Sequence, residues 1–411
     1  MGAHPWCVRN VAKLAMKSAL AGTLAKAAEF GVEVEIPSLL NRDLERCNVL
    51  LLNNDDVMSV LDMRETMWAL RTGYDDLKRG EATYGPRIDY YLPTGRSDSY
   101  YRWGDMVGAS ASFGVVAVRI KSQVMTWPDG GTTQDNYAVR PGLFCGFMIL
   151  FSCTDGEPLA LIHDGYLQHM RVGGSMGIGV DLLARKDAVT VGLLGSGGMA
   201  HTFLESFALV RPLKEVRVFS PTRSHRLVFA EEMSKKLGIN VVAVDSPREA
   251  VSDSLIVATA TDSMIPTFDA DWIMRGAHVV CVTRRELSDA LVKSADVIVQ
   301  LGINTVPFGT PVPMLEWKAG GIAAYVAGKP EDRARIPGAR NSSVGEYPTM
   351  LDVETGKFPG RTSDDQVTLF VGTGTQGLQF ASVGGHVYRL AKELGLGQDL
   401  PLEWFLQDIR D

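Results

Sequence analysis

The chain of 411 residues lacks most of the marks that assign a protein quickly. Cysteine is sparse: Cys7, Cys47, Cys145, Cys153 and Cys281 are odd in number and form no CxxC pair. That excludes a disulfide framework and points to reduced thiols in a cytoplasmic compartment. The seven histidines, His163 and His169 among them, show no metal-ligand spacing, so no metal is expected. No apolar run is long enough to cross a bilayer. Lysine and arginine form no cluster and the net charge is −7, which disfavours nucleic acid as the main partner. What remains, 45% hydrophobic and 22% charged residues, is the composition of a soluble globular protein long enough for two domains.

The most informative stretch is Val189–Ala200, VTVGLLGSGGMA. It reads as a buried strand, a tight glycine turn and the first turn of a helix, the order of a dinucleotide-binding unit. Gly195 allows a sharp exit from the strand, and Gly197 removes a side chain where backbone approaches a pyrophosphate. Ala200 is small where helix packs on strand. The helix start offers unpaired N–H groups to the phosphates. Strands are expected at Val189–Leu194, Glu215–Ser220, Asn240–Val244, Leu255–Thr259, His278–Val282 and Asp296–Gln300. Helices are expected at Met199–Val210, Arg223–Leu237, Pro247–Ser252, Ala270–Arg275 and Glu286–Ala295. Continuous apolar runs such as Leu255-Ile256-Val257-Ala258 suit a parallel sheet covered on both faces.

An NAD site carries Asp or Glu at the end of the second strand, about 20 residues past the glycines. Here that strand runs into Ser220-Pro221-Thr222-Arg223, without a carboxylate. Hydroxyls and a guanidinium suit a 2′-phosphate, so the expected cofactor is NADP(H) rather than NAD(H). A second glycine motif, Gly372-Thr373-Gly374-Thr375-Gln376-Gly377, has too little chain after it for another nucleotide-binding half. It reads as a strand-to-helix turn that could line the active site.

The region Asn48–Met176 is strand-like, broken by turns such as Gly85-Pro86 and Asp155-Gly156, and a helix is expected at Asp56–Leu77 ahead of its strands. Pro307–Ser343, rich in Pro, Gly and charge, reads as an extended loop or lid. Up to Phe30 the only acid is Glu29, against Arg9, Lys13, Lys17 and Lys26. That segment is either an amphipathic helix or a targeting segment.

Taken together, these residues resemble the ornithine cyclodeaminase/mu-crystallin family, which includes alanine dehydrogenases and ketimine reductases. The resemblance runs from about Leu50 to Gly397. It rests on Gly85-Pro86-Arg87, Gly114–Lys121 (GVVAVRIK), Thr154–Ile162 (TDGEPLALI) and His169-Met170-Arg171. The fingerprint, Ala258-Thr259-Ala260-Thr261 and Arg285-Glu286-Leu287 complete it. It implies an α/β chain: a Rossmann doubly wound parallel-sheet domain plus an α+β substrate-binding and dimerisation domain with an open barrel-like sheet. The division expected is a helical extension at 1–47, the substrate and dimer domain at 48–176 and 345–411, and the Rossmann domain at 177–344.

The same resemblance implies that Arg87 and Arg171 grip a substrate carboxylate and that Lys121 stands beside the substrate nitrogen and α-carbon as the catalytic acid or base. A lysine crowded by those two arginines should have its pKa lowered. Cofactor contacts are expected from Gly195, Ser196, Gly197, Gly198, Met199, Ala200, Ser220, Thr222, Arg223, Thr259, Ala260, Thr261, Val282 and Thr283. Three features depart from the family pattern. The strand His278–Val282 runs through Thr283-Arg284 into Arg285-Glu286-Leu287, without the loop that carries the cyclodeaminase aspartate. The step after Arg171 is Val172-Gly173-Gly174 in place of Thr-Ala-Ala. Extra residues rich in Tyr and charge (Tyr90, Tyr91, Tyr100, Tyr101, Arg102, Asp105) separate Arg87 from Lys121. The expected activity is therefore NADP(H)-dependent oxidation or reduction at the C–N bond of an α-amino or imino acid, by a cytoplasmic homodimer. A redox-neutral cyclodeaminase with bound NAD+, or an NADPH-dependent ligand-binding protein of mu-crystallin type, stays open.

Overall fold

The computed structural model describes residues 48–303, 315–318, 322–326, 329–334 and 347–407. The expected extension at 1–47 lies outside them. Asn48–Pro401 forms one compact unit, and it contains both sheets described below.

The chain enters through β1 (Asn48–Leu52) and two helices, α1 (Asn54–Val60) and α2 (Met63–Arg79). One helix over Asp56–Leu77 was expected; two form. Asp62 takes extended backbone and accepts the Glu65 N–H, so an acid that caps well restarts the helix in mid-run. There follow β2 (Ala82–Tyr84), β3 (Ile88–Pro93), β4 (Ser99–Ser110), β5 (Val115–Thr126), β6 (Asp135–Tyr137), β7 (Cys145–Ser152) and β8 (Pro158–His163). These build a mixed eleven-stranded sheet in which β3, β4, β5, β7 and β8 are successive antiparallel neighbours.

Next comes α3 (Gly165–Leu183), a helix inside the stretch expected to be strand-like. Five glycines and few polar residues hide its periodicity, because it is buried on nearly every side. The glycines set its distance from its neighbours. A Cβ on Gly173 would meet Thr202 Cβ at 2.4 Å, and one on Gly177 would meet Ser206 Cβ at 2.5 Å. The Val172-Gly173-Gly174 departure therefore follows from close helix packing.

The dinucleotide-type half then runs β9 (Thr190–Leu194), α4 (Gly198–Val210), β10 (Glu215–Phe219), α5 (Arg223–Leu237), β11 (Asn240–Ala243), α6 (Pro247–Val251), β12 (Ile256–Thr259), β13 (His278–Cys281), α7 (Asp289–Ser294) and β14 (Val297–Gln300). The six expected strands are present within a residue at each end. The helix expected at Ala270–Arg275 is only a 3-10 turn, Ala270–Trp272. That expected at Glu286–Ala295 starts later, at Asp289, where Ser288 caps it.

Two segments correct the expected division. β15 (Leu315–Lys318) and β16 (Ile322–Val326) extend the mixed sheet, β16 lying parallel to β3, so part of the expected Pro307–Ser343 loop is sheet and does not belong with the parallel domain. Conversely β17 (Thr368–Val371) inserts between β13 and β14, giving a seven-stranded parallel sheet of order β11-β10-β9-β12-β13-β17-β14. Buried on every residue, β17 reads as a central strand, yet it comes from the part of the chain expected in the other domain. The glycine motif after it is a strand-to-helix turn as expected, leading into α8 (Gln376–Leu394), which returns across β4 and β5 before β18 (Gln398–Pro401) closes against β1. Among the described residues, no helix is long and apolar enough to cross a membrane.

Candidate active site

Order reverses in the parallel sheet between β9 and β12, and a topological switch point of this kind is where open α/β sheets bind ligands. Gly195 sits there at φ +108°, and a Cβ on it would lie 2.4 Å from the Ala260 carbonyl oxygen. Gly197 is the N-cap of α4 and no side chain caps the helix, so its first N–H groups are free for an anion. Ser196 and Ser220 link the glycine turn to the end of β10 through their hydroxyls, 2.8 Å apart. Thr222 occupies the N-cap of α5 without capping it. Arg223 follows, exposed and without an ion-pair partner among the described residues, whereas Arg226 is buried on Asp245 and the Ser220 carbonyl. A turn that only glycine can make, an uncapped helix end and an unpaired guanidinium together fit a dinucleotide. Ala200 and Thr259 are wholly buried; they pack the unit and present no surface to a ligand.

A cavity of about 290 Å³ opens beside this turn, lined on one side by Met199, Ala260, Thr261, Val282 and Thr283 of the parallel domain. Its other wall carries Arg87, Lys121 and Arg171, so the structure brings all three expected substrate residues together. It adds Arg102, Arg119 and Arg285, none of them among the expected site residues. One signal was available: Arg119 and Lys121 are two apart on a strand and must share a face. The second glycine motif contributes Gly372, Thr373 and Gln376.

Arg171, on α3, is 6% exposed. Its Nη1 and Nη2 donate to the side-chain oxygens of Gln379 (3.0 Å) and Gln168 (2.8 Å), its plane lies over Phe380, and its Nε has no partner. All these partners are neutral. Burial, then Arg119, pulls its pKa from 12.5 down to about 9. Arg119 by contrast is paired with Asp164 at 2.6 Å. Arg87 donates to Asp89 at 3.0 Å. Lys121 makes no ion pair among the described residues, and burial holds its pKa well below the usual lysine value, with Arg102, Arg119 and Arg87 adding to the effect. The direction matches expectation; the neighbours differ, since Arg102 and Arg119 take the place expected for Arg171. Glu286 is the one carboxylate on the cavity wall among the described residues, and it accepts from the Thr261 N–H and hydroxyl. The linker Val282–Arg285 carries no carboxylate.

A buried cation held by neutral groups, in a cavity against an uncapped helix start, can hold an anion beside a bound nucleotide. Δ1-Pyrroline-2-carboxylate reductase of Bacillus cereus is 26% identical over 265 residues, 62% of this chain and 74% of that one. The structure of the Thermococcus litoralis Δ1-pyrroline-2-carboxylate reductase, in complex with NADH and L-proline, has the same fold (TM-score 0.66, 24% identity, 86% of this chain and 100% of that one). So does an archaeal alanine dehydrogenase dimer with bound NAD (TM-score 0.66, 23% identity, 86% and 99%). The ornithine cyclodeaminase/mu-crystallin family model matches residues 132–383, well over half of the chain. The chain belongs to the ornithine cyclodeaminase/mu-crystallin family.

Proposed function

We propose that this protein is an NADP(H)-dependent oxidoreductase that reduces the C=N bond of an α-imino acid, or runs the reverse oxidation of the α-amino acid. The observation that carries this reading is Arg171: a buried guanidinium whose only partners are neutral, facing a cavity that also holds an unpaired lysine. An α-carboxylate is the ligand such a site lacks. Arg171 and Arg87 hold it from two elements, α3 and the approach to β3, and that fixes the α-carbon and its nitrogen in place. Lys121, its ammonium made acidic by burial and by three arginines, gives a proton at the substrate nitrogen during reduction and takes it back in oxidation. When bound, the nicotinamide supplies or accepts the hydride at the α-carbon. The choice of NADP(H) is supported by Arg223, Thr222 and Ser220 where a carboxylate would favour NAD. Two of the solved structures named above hold NADH and NAD, so on this reading the chain differs from those proteins in cofactor preference. The exposed apolar run Leu143, Phe144 and Phe147 on and before β7, together with the dimer of the alanine dehydrogenase, supports a homodimer.

The test is a spectrophotometric screen of 2-oxo acids with ammonia or methylamine, and of amino acids, against both cofactors. Steady NADPH consumption with an imine is the expected result. Ammonia release without net cofactor change would instead identify a cyclodeaminase, and tight NADPH binding without turnover of any pair would identify a binding protein.

A further inference from the structure

The floor of the cavity is ruled by strand register. On the shared buried face of β3, β4 and β5, Arg87, one residue ahead of β3, stands level with the row of Met106 and Arg119. The next row is Asp89, Gly104 and Lys121, and the third is Tyr91, Arg102 and Gln123. Successive rows are about 7 Å apart. Lys121 therefore lies between two cationic poles. On one side Arg119 and Arg171 share the Phe380 ring, at 5.2 and 4.7 Å, with Arg87 in the same row as Arg119. On the other side is Arg102, with Arg285 reaching in from the turn after β13.

The second pole shares its one paired carboxylate, Asp89, with the first. Arg102 is 6% exposed, and the nearest carboxylate oxygen, Asp89 Oδ2, is 3.8 Å away, while Asp89 Oδ1 serves Arg87 at 3.0 Å. The other neighbour of Arg102 is the buried phenol of Tyr91, and Tyr91 with Asp89 holds the Arg102 pKa above its usual value in spite of burial. Arg285 has no carboxylate at ion-pair distance among the described residues, and its Nε is buried without a partner. An α-carboxylate on Arg171 and Arg87 leaves this end untouched. Nor does the glycine turn reach it, since the first N–H groups of α4 and the end of β10 serve the phosphates. The anion still missing is at Arg285, a half-buried guanidinium whose Nε is orphaned beside Arg102.

We infer that the substrate carries a second anionic group, seated between Arg102 and Arg285. The substrate class is then an α-imino or α-amino acid with an acidic side chain, lying across Lys121 with one carboxylate at each pole. This rests on the reading of the site as an imino-acid reductase. It also accounts for the charge- and tyrosine-rich residues between Arg87 and Lys121, which supply Tyr91 and Arg102.

The experiment uses the full chain with NADPH and two measurements. Binding of oxaloacetate and 2-oxoglutarate is compared with binding of 2-oxobutyrate and 2-oxovalerate by calorimetry, and NADPH oxidation is followed for each acid with ammonia or methylamine. The dicarboxylates are expected to bind roughly tenfold or more tighter, the scale of one added charge-assisted pair. Arg285→Gln should collapse that ratio to about twofold or less, while Arg285→Lys, which keeps the charge, should retain most of it. Equal affinity for both classes in the parent would overturn the inference. So would an Arg285→Gln variant that loses NADPH affinity and keeps its preference for dicarboxylates. Turnover separates the two readings. Monocarboxylic imines reduced as efficiently as dicarboxylic ones would sink the inference and leave the reaction standing. Selective dicarboxylate binding with no NADPH oxidation would sink the reaction and support the second anion site.

Discussion

Replacing Arg171 by methionine should make the free protein more stable and the active site worse. The drop of its pKa from 12.5 to about 9 is equivalent to about 5 kcal/mol held against the charged form in the fold. Methionine fills similar space against Phe380 without charge. It forfeits the bonds to the Gln379 and Gln168 oxygens, about 2–4 kcal/mol together, and the ring–cation contact, about 1 kcal/mol. The balance is a gain of up to about 2 kcal/mol, within the range seen when buried ions are exchanged for apolar groups. Differential scanning fluorimetry at pH 7 should register it as a rise of a few degrees. The sign with pH follows from the lowered value. The penalty is complete below pH 9 and fades as the pH climbs from 9 toward 12.5, because the folded state sheds the proton first. The parent should therefore recover on the variant above pH 9. A carboxylate ligand should reverse the ranking, stabilising the parent far more than the variant. A variant less stable than the parent at pH 7, or one that binds 2-oxo acids equally well, would show that Arg171 is a structural cation satisfied by its glutamines, and the carboxylate site would fall with it.

Lys121→Ala should lower kcat by roughly 10²–10⁴-fold. In the parent, log kcat for reduction should fall as pH rises through the depressed lysine value, and oxidation should show the opposite limb, both read from steady-state pH profiles. Arg223→Ala should weaken NADPH binding by about 1–3 kcal/mol and leave NADH nearly untouched, measured by fluorescence titration; equal losses for both would refute the 2′-phosphate role. Gly173→Ala should destabilise the protein by about 1–3 kcal/mol in chemical denaturation, since its methyl meets Thr202 at 2.4 Å. Light scattering at micromolar concentration should give a dimer, and Phe144→Asp should shift it toward monomer.

The parallel sheet was legible because its strands are short apolar runs bounded by glycine, proline and helical segments. Leu255–Thr259 could be little else. The helix carrying Arg171 was not, since a helix buried all round and rich in glycine offers no amphipathic period. The cation-rich wall was half legible. Arg119 and Lys121 announce a shared face by their spacing, but Arg102 and Arg285 are separated by most of the parallel domain, and only the packing of that domain against the mixed sheet brings them together. The place of strand β17 escaped for a similar reason: nothing in Thr368–Val371 tells that it slots between two strands made much earlier. The corrected partner set of Lys121 comes from register, which no local pattern encodes.

That late strand has a consequence for how the protein is made. Among the described strands β14 pairs with β17 alone, apart from one bridge from Gln300 to Thr349, so when Val297–Gln300 leaves the ribosome it has no strand to join. The exposed edge of β13 must wait through some seventy further residues, including the two strands that go to the other sheet. During that interval a nascent chain presents an open, apolar, parallel edge, the feature most prone to pairing with the wrong partner. Excising 177–344 as a free nucleotide-binding module would make that vulnerable state permanent. Pieces that end before Val371 are expected to be less soluble than the full chain, a consequence of the strand order that comparison of soluble yields would check.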